Sequence, residues 1–315
     1  MKKILPLLAV AAVFVSCGHR GGRVVETYRP FPFVEVPSLI TDSAERMEYS
    51  VEHYWDAFFA ADGVTDTSAV LGVRTEDVEY GLSTYLGLVS MMPKEEGQKA
   101  VGSLFGMIER KQAADTSGHV YLLMTDLVSK YLYDPNSPLR DEDLYLPFVH
   151  GLAGSRFTND DVRPGYVFEE KMCSLNRYGT VATDFLFKDA GGRTYSLHGV
   201  KADHTVLFFS NPGCESCSMF ALSLMGSERL DSLIDGGRVK VVNIYIDREL
   251  DKWRGYVKNY PSSWLSGYDF RNVIRDEAIY NVRAIPSLYL LDAEKRVMMK
   301  DVPPERLLDA IEKLN

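Results

Sequence analysis

Positive charge is in short supply: 35 Lys and Arg stand against 44 Asp and Glu, a formal net charge of −9 over 315 residues. A nucleic-acid binder needs a basic face to release counterions from phosphate, so no nucleic-acid partner is expected. Cysteine is scarcer still, with four residues at positions 17, 173, 214 and 217. Zinc usually takes four ligands, from two cysteine pairs or from a pair and two histidines. A single close pair among scattered histidines argues for no metal site, and nothing in the chain calls for a cofactor. Past the first residues, no stretch approaches the roughly 18 consecutive apolar residues of a membrane-spanning helix. Solenoid-type repeats and low-complexity tracts are missing as well. What remains, 46% hydrophobic and 25% charged, is the balance of a globular chain long enough for two domains.

The first residues read as a leader and not as part of the fold. Lys2 and Lys3 precede an apolar run from Ile4 to Val15, too short to span a bilayer, and Ser16-Cys17 closes it. Phe14-Val15-Ser16-Cys17 resembles the lipobox of bacterial lipoproteins, with Phe14 standing where leucine is usual. That resemblance implies a signal peptide over residues 1–16, cleavage before Cys17, and lipid on the Cys17 thiol and on the new amino terminus. Several acyl chains make a stable anchor where one is marginal. Residues 17–40 begin small and basic, as a flexible tether. They lack the acidic cluster of lipoproteins carried to the cell surface in Bacteroidota-type bacteria, so the expected location is the outer membrane, facing the periplasm, with the lipid as the only membrane contact.

Residues 41–162 carry a helical pattern. Asp42 with Glu45 forms a capping box before a helix over 46–61 bearing Tyr54, Trp55, Phe58 and Phe59. Thr75 opens a second, with apolar residues at 78, 82, 85, 86 and 89, which stops at Pro93. Further helices are expected over 94–112, 119–133 and 141–152, joined by breakers such as Asp134-Pro135-Asn136-Ser137-Pro138. The result is a small all-α domain in which the aromatics are core and no catalytic pattern is visible.

From residue 163 to 315 the period changes. A hairpin over 183–197 turns at Asp189-Ala190-Gly191-Gly192, and Thr205 to Phe209 is a continuous apolar run suited to a doubly buried strand. A helix over 218–234, a second buried strand over 239–246, strands at 288–291 and 297–300 and a last helix over 304–314 complete an α/β pattern.

Cys214-Glu215-Ser216-Cys217 falls between a buried strand and a helix. Free amides and the positive end of the helix dipole favour an anionic sulfur there. Cys214, at the very end, is therefore the attacking thiolate, and Cys217, one turn on, the resolving thiol. Ala284-Ile285-Pro286-Ser287 stands directly before another buried strand, where proline marks a tight and sometimes cis connection. Cys173 has no companion and reads as a buried, inert thiol.

The stretch Val206-Leu207-Phe208-Phe209-Ser210-Asn211-Pro212-Gly213-Cys214-Glu215-Ser216-Cys217, followed about seventy residues later by Val282-Arg283-Ala284-Ile285-Pro286-Ser287-Leu288, resembles the thioredoxin superfamily. With the leading Thr183-Asp184-Phe185 hairpin it is most similar to the TlpA/ResA-like, membrane-anchored branch. The resemblance implies a thioredoxin-like fold over 163–315, a cis Pro286 facing the sulfurs, and an Ile285 backbone that pairs with the substrate chain. It further implies a thiol–disulfide oxidoreductase, reductase or isomerase, whose partners are exported cysteine-containing proteins and a thiol–disulfide electron donor. His53-Tyr54-Trp55-Asp56 with Asp62, and Asn176-Arg177-Tyr178-Gly179, are similar to Bacteroidota lipoproteins in which a helical domain of unknown function precedes such a fold.

The chain also departs from that pattern. Gly213 replaces a tryptophan, Glu215-Ser216 replaces Gly-Pro, and Phe208 takes the place of a buried aspartate that moves protons for the second cysteine. Glu215 beside Cys214 disfavours its thiolate and points to a reducing couple. The proton acceptor for Cys217 is unassigned, with Asp184 and Glu215 as candidates. An alternative is a non-catalytic binding lipoprotein with a structural Cys214–Cys217 disulfide. A peroxidase needs Thr or Ser where Asn211 stands.

Overall fold

The computed structural model describes residues 28–115 and 119–314. The leader, Cys17 and the first part of the tether lie outside the described residues.

In the N-terminal half, Asp42 opens α1 (Ser43–Glu52) by accepting the amide protons of Ala44 and Glu45 at 2.9 and 3.0 Å, two donors a helix start leaves unpaired. The expected continuation to residue 61 breaks at His53–Trp55, where the His53 ring meets the Asp56 carboxylate at 2.8 Å, and α2 (Asp56–Ala60) follows. A hairpin that the pattern did not predict, β1 (Ala69–Val70) with β2 (Val73–Arg74), comes next. Then follow α3 (Thr75–Val89), α4 (Lys94–Ala114), α5 (Val120–Leu132), α6 (Glu142–Gly154) and α7 (Arg163–Cys173). Asp141 caps α6 through the Leu144 amide at 3.0 Å. Trp55, Phe58, Leu82, Tyr85, Tyr145 and Phe148 are buried in one apolar cluster.

Cys173 belongs to that same cluster. The helical half therefore runs to residue 173, and the change of pattern expected at residue 163 comes only after α7. Pro164 in its first turn, a position where proline is tolerated because its missing donor is not needed, starts this helix instead of preventing one.

The C-terminal half is a seven-stranded sheet in the order β4-β3-β7-β6-β5-β8-β9. Its elements are β3 (Leu186–Lys188), β4 (Thr194–Ser196), β5 (His204–Phe209), α8 (Glu215–Met225), α9 (Glu228–Asp235), β6 (Val239–Tyr245), α10 (Leu250–Tyr256), β7 (Leu265–Tyr268), α11 (Val273–Asp276), β8 (Ser287–Leu291), β9 (Val297–Met299) and α12 (Pro304–Glu312). Strand β5 lies parallel to β6 and antiparallel to β8. Its side chains alternate as a pleat requires: Val206 and Phe208 join a core with α8, α9 and α12, while Leu207 and Phe209 join Phe185, Phe187 and Tyr280 on the other face. The single helix expected over 218–234 is two, because Ser227 caps α9 by accepting the Leu230 amide at 3.2 Å. Strand β7 was not expected at all. It is admitted by Gly267, where a Cβ would lie 2.5 Å from the Phe187 ring and 2.9 Å from the Lys188 carbonyl oxygen.

Candidate redox site

Cys214 is the residue that caps α8. Its backbone is extended, and its sulfur accepts the Cys217 amide proton at 3.1 Å. Cys217, one turn into the helix, is fully buried, and the Asn211 amide points at its sulfur at 3.5 Å. Both cysteines are free thiols. The turn before them is made possible by Gly213, whose φ of +74° is a conformation that other residues rarely adopt. The replacement of a bulky residue at 213 therefore has a backbone reason. Asn211 holds the turn from below: its side-chain amide donates to Asp247 at the end of β6, and Asp247 pairs with Arg275.

On the far side, the Ile285–Pro286 peptide is cis, and the Ile285 carbonyl oxygen lies 3.7 Å from the Cys214 sulfur as the acceptor of its thiol. The four residues singled out from sequence, Cys214, Cys217, Ile285 and Pro286, are thus brought to one place. The arrangement offers an asymmetric pair. Amide donors at the helix start meet the half-buried Cys214, whereas burial and the neighbouring Cys214 side chain push the Cys217 thiol well above the ordinary range.

Of the proton acceptors considered from sequence, Asp184 is engaged elsewhere and Glu215 is exposed beside the pair. Asp184 accepts the His198 amide at 2.9 Å in the hairpin region, and Glu215 is exposed in the first turn of α8. Phe208 is buried edge-on to Trp264. What stands behind the pair instead is a hydroxyl chain. Ser210, next to Asn211, donates to Asn243 at 2.6 Å and lies 3.2 Å from the Tyr260 hydroxyl. Burial, eased by Ser210, pushes the Tyr260 phenol up to about 12, and Cys217 is among the groups acting on it. The signal for this chain was in the sequence: Ser210 and Asn243 are polar residues closing or interrupting strongly apolar strand segments. A groove of about 640 Å³ lies apart from these residues, in the helical half, between a floor that includes Trp55, Tyr85 and Leu104 and a rim carrying Glu48, Glu52 and Glu96.

Residues 16–164 match a family described as a domain of unknown function (DUF5106). The chain is similar to a crystal structure described as a thioredoxin-like protein from Bacteroides caccae, at 31% identity over 92% of this chain and 100% of that one, with a TM-score of 0.78. It is also similar to the C-terminal domain of an uncharacterized protein from Bacteroides fragilis, at 35% identity over 44% of this chain and 99% of that one, with a TM-score of 0.43. A thioredoxin domain of a thiol-disulfide oxidoreductase from Bacteroides vulgatus matches at 22% identity over 43% of this chain and 96% of that one, with a TM-score of 0.39. No curated protein matches.

Proposed function

Since the chain belongs to the thioredoxin-like family, sharing 31% identity with one member over 92% of its length, we propose that it is a thiol–disulfide oxidoreductase that reduces or reshuffles disulfides. The observation that carries this is the placement of Cys214, capping a helix with its sulfur on the Cys217 amide at 3.1 Å and facing the Ile285 carbonyl at 3.7 Å.

In the first step the Cys214 thiolate attacks one sulfur of a substrate disulfide. The S–S bond breaks, a mixed disulfide forms, and the other substrate sulfur leaves as a thiolate. Cys217 then gives its proton to that thiolate, and its sulfur attacks Cys214. The mixed bond breaks, the second substrate sulfur departs and takes a proton from water. Two electrons have moved to the substrate, and the protein holds a Cys214–Cys217 disulfide. A thiol–disulfide electron donor restores the dithiol by the reverse exchange. The high-lying Cys217 thiol suits this order, because burial above all keeps its proton on until a departing substrate thiolate beside it can take it.

The substrates in this proposal are exported proteins carrying cysteine. The chain acts at the cell envelope, held by lipid on Cys17 to the outer membrane on its periplasmic side. The test pairs two measurements on the full chain. A Cys217→Ser variant expressed in the native envelope should accumulate mixed disulfides through Cys214, and the wild type should reduce a disulfide-bonded protein in the presence of a thiol donor. Wild type that reduces no disulfide with any thiol donor sinks the proposal. Labelling with radioactive palmitate, lost in Cys17→Ser, checks the anchor separately.

A further inference from the structure

The two halves meet through buried charge next to the loop that faces Cys214. Glu142, in the first turn of α6, is 1% exposed. One of its carboxylate oxygens accepts from Arg283 Nε at 2.8 Å and from the Asn281 side-chain amide at 2.7 Å, and the other lies 2.7 Å from Lys300 Nζ. All three partners belong to the sheet half. Arg283 also stacks over the Tyr133 ring of the helical half at 4.2 Å, and through Nη2 donates to Asp301 at 3.0 Å. Asp301 in turn accepts the Ser287 hydroxyl at 2.8 Å, and its backbone oxygen accepts from Arg140 Nε at 2.9 Å.

These contacts bracket the Ile285–Pro286 peptide. Arg283 stands two residues before Ile285, and Ser287 directly follows Pro286. One flank is tied to Glu142, the other to Asp301, and Arg283 links the two carboxylates. A charge buried to this degree is tolerated only when paired, so these side chains have little freedom to choose other partners.

We propose that Glu142 is a positioning residue for the loop facing Cys214, so that the helical half supplies part of the frame of the redox site. The inference rests on the oxidoreductase reading for its catalytic meaning, but not for its structural test. Loss of the Glu142 charge leaves Arg283 held only by Asp301 and the Tyr133 ring, and the Ile285 carbonyl then no longer keeps its place opposite the Cys214 sulfur. Alkylation of Cys214 by a small reagent depends on the helix start and stays as it was. Exchange with a peptide disulfide, whose chain must lie along residue 285, weakens.

The test uses the full chain with Glu142→Gln, which keeps size and removes charge. Hydrogen–deuterium exchange of the reduced protein should quicken about tenfold or more in peptides covering 282–288, with β3 and β4 at the far sheet edge unchanged. Iodoacetamide alkylation of Cys214 in a Cys217→Ser background should change less than twofold over pH 6 to 9. With a disulfide-linked peptide, KM should rise about tenfold while kcat holds within threefold. Unchanged exchange at 282–288 overturns the proposal, and so does uniform acceleration that includes β3 and β4, which marks general loosening. If Glu142→Gln does not fold, Asn281→Ala is measured in its place with the same outcomes, since it removes one partner of Glu142 beside the loop and leaves every charge where it was. Wild type without disulfide exchange defeats the oxidoreductase reading and leaves the deuterium result to decide the positioning.

Discussion

Cys173 in the helical half and Cys217 in the sheet half are both fully buried thiols, and burial pushes both well above the ordinary thiol range. They differ in what stands beside them. Cys173 ends α7 inside an apolar cluster, and its carbonyl accepts from Lys300 at 2.9 Å. Cys217 sits one turn behind a second sulfur at a helix start. The contrast teaches that burial alone makes a thiol inert, and that a neighbour placed at a helix start turns the same buried thiol into half of a reversible pair.

The largest effect that can break this contrast is on activity. Cys214→Ser is expected to lower disulfide reduction by about a thousandfold or more, the scale on which loss of a nucleophile acts. Cys173→Ser should leave the rate within twofold and cost about 1–3 kcal/mol of stability, because a hydroxyl replaces a thiol in an apolar site. Both variants are assayed by reductase rate and urea unfolding. A large loss of rate in Cys173→Ser would place that thiol in the chemistry.

The next is on folding. Phe148, packed at 5.1 Å from the Phe105 ring, is fully buried in the helical core, and Phe148→Ala should cost about 3–5 kcal/mol. If the buried charges at the interface couple the halves, circular dichroism and, in a Trp55→Phe background that leaves only Trp253 and Trp264 of the sheet half, fluorescence shift together in urea. Fluorescence that holds while ellipticity moves shows halves that unfold apart.

A smaller effect is set by pH. Both buried thiols have raised folded values, so each stays protonated where its unfolded counterpart ionises. Their contribution is complete below about pH 8.5 and is lost as pH rises past it, by about 1.4 kcal/mol per pH unit for each thiol. Urea midpoints of the reduced wild type should fall between pH 8 and 9.5, and Cys173→Ala should flatten the slope by about half. An unchanged slope in that variant contradicts the burial of Cys173. The smallest effect concerns the surface beside the pair: Met219 and Leu222 on α8 are 62% and 64% exposed. Met219→Glu should raise KM for an unfolded disulfide substrate about threefold with no change for a small one, and equal effects on both would deny that this face meets the client.

The sheet half was legible because β5 and β6 are strongly apolar and because a cysteine pair and a proline flank them. Strand β7 was not, since Leu265-Ser266-Gly267-Tyr268 carries no alternation of its own and is a strand only because β6 and β3 lie on either side. The helical half was legible in outline from caps such as Asp42 and Asp141. At its end it runs on past the expected change of pattern at residue 163, because α7 (Arg163–Cys173) packs its last residue into the helical core. Cys214, Cys217 and Pro286 could be named from spacing and context, and Ile285 from the family resemblance, whereas Glu142 could not. An acidic residue in a first helical turn normally faces water, where it complements the helix dipole, and only the folded partner 139 positions later shows why this one is buried.

That long separation also bears on how the chain is made. The helical half is complete at Cys173, well before Asn281, Arg283 and Lys300 leave the ribosome, and domains fold in the order of synthesis. Until those residues arrive, the Glu142 carboxylate has none of these three partners, whereas Asp141 already has Lys94 within the helical half. Arrival of the three partners gives that carboxylate two salt bridges and one amide hydrogen bond, so the joint between the halves closes on a group that was in place from the first half of synthesis.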